Sequence, residues 1–330
     1  MKIDKALWKR EYDQAKWIVW IMPIAHFLAL GGDRLKDWYL DKPESIRYRL
    51  ENVHSYLDAY DYGDMELMAR IGLMLMLFVL SLVQIGMERR NGGQEFLFSL
   101  PCTRTRIFWT KWLFGIALLT GSLVLNTAVD MAVVLGSPIA EHFRLWYHLD
   151  QFFFAWLSLA AVYAMFLFVG TISGSLASQA VFAALAPVLP FLIALLVRAG
   201  IAVHSDDAIS LLPGADYILL FPVRYDYPEI LGSGPFPWIF MAVCFVASTF
   251  GAMVAYRRTR AENSGKLVVF PLWERILQVG FVFCSALAGG TFVYAFFNAS
   301  TVIMYYVGLA LGTAISAWVI RQLLRLRLKI

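Results

Sequence analysis

Polar side chains inside long apolar runs are the residues of this sequence best placed to do chemistry. Asn126 and Asp130 lie four positions apart, so they share one face of a helix, and His26 lies in an earlier apolar run. Ionisable groups at membrane depth are costly and indicate by default a polar pathway or a buried pairing. Three interpretations stand: a stripe that faces a pathway, hydrogen bonds between helices, or a position of Asp130 near the outer interface.

The remaining titratable residues do not form a metal-binding or nucleophilic pattern. His142, His148 and His204 lack ligand spacing, and the three cysteines (102, 244 and 284) form no metal or redox pair. An intramembrane protease would need a serine turn with a deep histidine, or paired aspartates, whereas Asp130 stands alone. We therefore predict no metal site and no enzymatic activity in this chain.

Nucleotide hydrolysis is not expected of this chain either. A phosphate-binding loop needs the pattern G-x-x-x-x-G-K-[ST]. The only Gly-Lys pair, Gly265–Lys266, is followed by Leu267 and lacks the earlier glycine. Any ATP hydrolysis that the protein uses must come from a separate chain.

A second candidate is the basic, proline-marked segment 88–111, which separates two long apolar runs. Gly92 and Gly93 should end the preceding helix, a short helix should resume at Gln94, and Pro101 should stop it. Such a surface helix would carry Phe96, Leu97 and Leu100 on one side, and this apolar side could fit a groove on another protein. It could equally be a membrane-flanking loop that lies on lipid, and the residues alone do not decide between the two.

These residues must be positioned by membrane-spanning helices, as the composition shows. The chain has 330 residues, of which 60% are hydrophobic and 16% charged, with mean hydropathy +0.63. Soluble domains carry about a quarter charged residues. The net charge of +4 lies mainly at loop ends and fits membrane orientation better than nucleic-acid binding.

The apolar runs predict an all-α, polytopic membrane protein with about eight spans in a single transmembrane domain. The predicted spans are 17–32, 67–87, 112–137, 152–173, 177–198, 236–256, 276–297 and 301–320. Residues 1–16 are expected to form an interfacial helix ahead of a retained first span, rather than a cleaved signal. The uncharged stretch 170–179 is expected to be a tight turn or a re-entrant hinge.

Lysine and arginine residues indicate the orientation. They concentrate in segment 1–16, in the segment 88–111, after the sixth run and in the C-terminal tail. With eight spans all four lie on one side, so both termini are predicted to be cytoplasmic. Segment 33–66 then becomes an outer loop with a short helix near 43–58, and 257–275 becomes a second cytoplasmic loop.

The motif E-R-R-x-G-G-x-E-F-L-x-S-L-P-x-x-R-x-x-I-x-x-x-K resembles the segment after the second helix of type 2 ABC exporter permeases. In that family this stretch is the coupling helix, which contacts the ATPase subunit. The resemblance carries that role to Glu88, Arg89, Gly93, Glu95, Leu97, Ser99, Leu100, Pro101, Arg104 and Lys111. A second patch, 255–270, is similar to a later cytoplasmic loop of a long subgroup linked to acetoin or to antibiotic response. Its matching residues are Arg260, Glu262, Gly265 and Phe270.

The resemblance implies a permease subunit that exports an amphiphilic substrate across a bacterial cell membrane. Its implied partners are ABC ATPase subunits, which bind ATP and Mg, a second permease and membrane lipid, with no nucleic acid. The family core has six spans, so the last two are a departure. A non-transporting membrane scaffold or sensor subunit is the alternative function.

Overall fold

A computed structural model describes residues 5–56, 64–204, 235–259, 265–297 and 302–325. Within these ranges the chain is helical apart from turns and one isolated antiparallel bridge between Ser173 and Val268. The helices are α1 (Lys5–His26), α2 (Pro43–Asn52), α3 (Asp64–Ser81), α4 (Gly93–Ser99), α5 (Arg104–Gly136), α6 (Leu145–Ile172), α7 (Leu176–Leu185), α8 (Leu189–Ala202), α9 (Phe236–Arg258), α10 (Pro271–Phe296) and α11 (Val302–Arg325). Further helical turns extend α1 to Leu40 and α3 to Arg90.

The structure confirms an all-α polytopic membrane protein. Within the described residues, seven helical segments are long and apolar enough to cross a bilayer. They are Lys5–Leu40, Glu66–Arg90, Arg104–Gly136, Leu145–Ile172, Pro237–Arg258, Pro271–Phe296 and Val302–Leu324. Each contains most of a predicted apolar run, and several are longer because polar turns continue the helix at its ends.

The N-terminal segment differs from the expectation. No break separates residues 5–16 from the first span, because α1 runs through both. Its buried residues recur at helical spacing along the whole length: Leu7, Glu11, Ala15, Ile18, Met22 and His26. One continuous face therefore packs on the protein, and these residues do not form a separate surface helix.

The outer loop also begins later than predicted. Helical turns continue from α1 to Leu40, so the first part of segment 33–66 belongs to the first span. The short helix predicted near 43–58 is present as α2, which ends at Asn52. Residues 57–63 lie outside the described part of the chain.

The fifth apolar run is a bent pair, α7 and α8, which meet at 55° around Pro187. The predicted turn before it is present, and Ser175 caps α7. Leu176 packs against Gly86 beside the segment 88–111, whereas His204, just after α8, hydrogen-bonds Tyr306 near the start of α11 at 3.0 Å. The two ends of the pair therefore lie at opposite faces, which makes it an eighth crossing.

The central core lies between α1, α3, α5 and α6, with α9 packed along α6. Its most buried large side chains include Ile18, Leu77, Phe166 and Tyr163. The last two helices, α10 and α11, pack mainly on each other; α10 also packs on α8 and touches α6 where the Trp273 ring meets Phe168. We use "inner face" for the side of the bundle that carries α4, and "outer face" for the opposite side.

Glycine sets the spacing of the last helix pair. A Cβ at Gly308 would collide with the carbonyl oxygen of Gly289. We expect Gly308→Val to push α10 and α11 apart and to destabilise the pair by about 1–3 kcal/mol, as overpacking does. Gly280→Val on α10 is the matched control, because a Cβ there meets no atom within 4 Å. Equal thermal unfolding of the two variants in detergent would contradict this packing.

Candidate functional site

The segment 88–111 forms the short surface helix that its sequence predicts. Gly92 adopts φ +69°, in the left-handed region that favours glycine, and turns the chain out of the α3 extension. Helix α4 follows and ends before Pro101. The Thr103 hydroxyl then accepts a hydrogen bond from the Arg106 amide, which caps α5. The segment is thus a helical turn held between two long spans at the inner face.

Helix α4 has one face in the protein and one face outside it. Leu97 is 0% exposed and packs with Leu7, Phe108 and Tyr256, whereas Phe96 is 60% exposed. Glu95, Ser99 and Pro101 are also exposed, and Leu100 and Gly93 are half-buried. Leu97 was predicted to contact a partner, but its side chain is buried in its own chain. Phe96, which was predicted to lie on the same side of the helix as Leu97, is instead exposed.

A buried charge cluster lies directly beneath α4. The Lys111 ammonium donates to carboxylate oxygens of Glu11 and Glu88, at 2.7 Å each, and Arg10 lies 2.8 Å from Glu88. The side chains of Lys111, Glu11 and Glu88 are at most 4% exposed. The positive charges of Lys111 and Arg10 balance the negative charges of the two carboxylates, and buried charges need such pairing. The cluster joins α1, the end of the α3 extension and α5.

Arg89 makes a second buried connection from the same turn. Its guanidinium donates to the backbone oxygen of Ser173, and to the Gln94 amide oxygen at 3.1 Å. It therefore links α4 to the turn after α6. Glu88 and Arg89 were predicted to contact a partner, but both are buried within the chain, so in this structure they position α4 and do not form its outer surface.

The second predicted cytoplasmic loop lies against this assembly. Arg104 donates to the backbone oxygen of Thr259 at 2.6 Å and lies over the Phe98 ring at 4.3 Å. The Gly265 amide donates to the Gly174 oxygen at 2.8 Å, and the Val269 amide donates to the Ile172 oxygen at 2.8 Å. Arg260 and Glu262, the other predicted contacts of this loop, lie outside the described residues. The two segments singled out in the sequence are thus neighbours.

The polar residues of the apolar runs meet in the outer half of the bundle. His26, Asn126 and Asp130 line a cavity of about 70 Å³ together with Glu66, Arg70 and His148. The cavity lies between the first four spans, so the structure brings the three predicted residues together. It lies far along α5 from α4, at the opposite face of the bundle.

Asp130 is paired within this cluster. Its carboxylate lies 2.8 Å from the Arg34 guanidinium and 3.4 Å from His148 Nδ1, and the Arg34 side chain is 3% exposed. Asn126 donates to the Ser122 backbone oxygen at 2.9 Å, one turn back on its own helix. The sequence placed Arg34 in the outer loop and therefore missed this ion pair, which became possible because α1 continues outward.

No group of three or more histidine, cysteine, aspartate or glutamate side chains in the described ranges could hold a metal ion. The buried charges of the described residues gather in two places, beneath α4 and around the outer cavity. Both are pairings of opposite charge across helices, and the chemistry they offer is positioning and hydrogen bonding.

Comparison with known proteins adds one relative. The chain is similar to the "Probable ABC transporter permease YtrC" of Bacillus subtilis, with 23% identity over 228 residues. The aligned region covers 66% of this chain and 68% of the relative. No family model and no solved structure matches the chain. Together with the spanning helices, this similarity supports a permease role at the level of the ABC transporter family. The chain is a multi-pass protein of the cell membrane.

Proposed function

We propose that this chain is the permease subunit of an ATP-driven transporter, and that a separate ATPase subunit docks on α4. The observation that carries the proposal is the division of α4 into a buried Leu97 face and a face that exposes Glu95 and Phe96. An exposed aromatic side chain beside a charged one, on a helix fixed from behind, is typical of a docking anchor. The relative named as a permease supports the same role.

The connections behind α4 suggest how a movement of the docked ATPase subunit would be transmitted to the membrane spans. The Lys111 cluster ties the α4 region to α1, α3 and α5, and Arg89 ties it to the end of α6. Because packed, ion-paired elements move as units, displacement of α4 would tilt these four spans together. ATP and Mg would be held by the partner, since this sequence has no phosphate-binding loop.

Export of an amphiphilic substrate, at an interface with a second permease, completes the proposal. The composition and the resemblance support it. His26, Asn126 and Asp130 are the candidate polar groups on the pathway, and the cavity that they line supports their acting together. The ion pair of Asp130 with Arg34 favours the alternative interpretation, a structural connection, for that one residue.

We expect Phe96→Ser to weaken association with the ATPase subunit by roughly thirtyfold, since an aromatic anchor contributes about 2 kcal/mol or more. Phe96 is exposed, so folding should be unaffected. The measurement is purification in mild detergent from the native membrane, with mass spectrometric quantification of the ATPase per permease.

The matched control is Phe296→Ser, which removes a ring that is at least as exposed, 72% against 60% for Phe96, at the outer end of α10. It should leave the ATPase ratio unchanged. An unaltered ratio for Phe96→Ser would overturn the docking site. Co-purification of a kinase or protease in place of an ATPase would favour the scaffold or sensor function.

A further inference from the structure

An apolar groove opens on the membrane-facing side between α6, α9 and α10. Its volume is about 530 Å³, and its walls include Phe168, Phe250, Leu272 and Trp273. Gly251 keeps the wall on α9 open, since a Cβ there would lie only 3.0 Å from the Phe168 ring. The volume falls within the roughly 300–1,000 Å³ typical of ligand pockets. No described side chain of the protein fills it.

The groove ends at two arginines. Arg258 belongs to its lining, and a smaller adjoining cavity of about 290 Å³ is lined by Val254, Arg257 and Arg258. Both arginine side chains are exposed, and neither forms an ion pair with another described residue. They end α9 at the inner face, where Arg104 donates to the Arg257 backbone oxygen. An apolar channel thus leads from the bilayer to a pair of cations at headgroup level.

We propose that this groove binds an anionic phospholipid of the inner leaflet, with an acyl chain along the aromatic walls and the phosphate beside Arg257 and Arg258. Guanidinium groups match phosphate oxygens in charge and in hydrogen-bond geometry. Basic pockets between helices near the cytoplasmic side suit anionic headgroups. The acyl chain fills a space that water would occupy only at the cost of its hydrogen bonds.

A second copy of the chain is a poorer occupant. In a symmetric contact the same patch meets itself, so two further arginines would face Arg257 and Arg258. Like charges brought together without counter-charges are unfavourable. A lipid brings the opposite charge and the apolar chain in one molecule, which matches both parts of the groove. This inference does not depend on the proposed transport function.

The test measures the phospholipid retained by the full-length protein after purification in mild detergent, by native mass spectrometry. Each basic residue near a membrane surface strengthens anionic lipid binding roughly fivefold. The double variant Arg257→Gln/Arg258→Gln should therefore retain anionic phospholipid about thirtyfold more weakly. The matched control is Lys9→Gln/Lys16→Gln, which removes two exposed cations of α1 that do not line the groove.

A second variant tests the apolar part of the proposed lipid site. Ala247→Trp fills the groove from its exposed lining position while leaving both arginines in place. It should also release the lipid, and an excess of inorganic phosphate should not. Equal retention by the arginine variant and its control would overturn the proposal. So would displacement by phosphate, full retention by Ala247→Trp, or a change of oligomeric state without loss of lipid.

Discussion

Replacing Lys111 with methionine is expected to be among the most destabilising single changes in this chain. Methionine retains the bulk of the side chain but removes the charge that Glu11 and Glu88 share. Two carboxylates would then lie buried together with only Arg10 nearby. Removing one partner of a buried charge network costs about 3–5 kcal/mol, because it leaves uncompensated charge at low dielectric. Thermal unfolding of the detergent-solubilised protein measures the loss.

Two further variants show that the charge balance is responsible. Lys9→Met removes an exposed lysine of α1 and should leave stability within about 0.5 kcal/mol. The triple variant Glu11→Gln/Glu88→Gln/Lys111→Met removes both carboxylates with the lysine and should recover most of the lost stability. If Lys111→Met unfolds at the wild-type temperature, the cluster does not hold α4 in place.

Asp130→Asn is expected to have the second largest effect, at the outer face. Arg34 is buried against the Asp130 carboxylate, and a neutral amide would remove this counter-charge, which lies 2.8 Å from the guanidinium. We expect a loss of about 3–5 kcal/mol, as for other broken buried pairs. The double variant Arg34→Met/Asp130→Asn should regain much of it, since a neutral pair has a much smaller desolvation penalty than an unpaired buried charge.

The same variant separates the two roles considered for Asp130. The control is Asp150→Asn, because Asp150 is an exposed aspartate on α6. This variant should leave both thermal stability and transport unchanged. Destabilisation that the double variant reverses would support a structural pairing. Transport lost at unchanged stability would contradict that pairing and place Asp130 on the substrate pathway.

The apolar runs were sufficient to predict the helices because a bilayer requires about 20 apolar residues for each span. The short helix α4 was predictable for a local reason: Gly92 ends one helix and Pro101 limits the next. The bend around Pro187 was not predicted, although the proline itself signals it. Each of these features depends on residues that are close together in the chain.

The pairings were not predictable, because they join residues far apart in sequence. Lys111 and Glu11 are separated by 100 positions, and nothing in either segment indicates that α1 and α5 are neighbours. One signal was present: Glu11 falls on the face of α1 that otherwise carries Leu7, Ala15 and Ile18. A lone acid on an apolar face predicts a buried cationic partner, but not which one.

The sequence also did not predict which face of α4 is exposed. The sequence pattern groups Phe96, Leu97 and Leu100 on one apolar side, but Phe96 and Leu97 are about 100° apart on a helix, and the pattern does not decide which of the two is buried. The cluster of Leu7, Phe108 and Tyr256 decides the matter by receiving Leu97. Tertiary packing, not local pattern, therefore leaves Phe96 exposed on α4, where we propose that the ATPase subunit docks.

The most direct test of the account is photo-crosslinking from position 96 in the native membrane. A benzophenone amino acid in place of Phe96 should form an adduct with one ATP-binding subunit, and the same probe in place of Phe296 should form none. That result would support α4 as the docking site. Adducts with lipid alone at position 96, in a protein that folds and purifies normally, would contradict it.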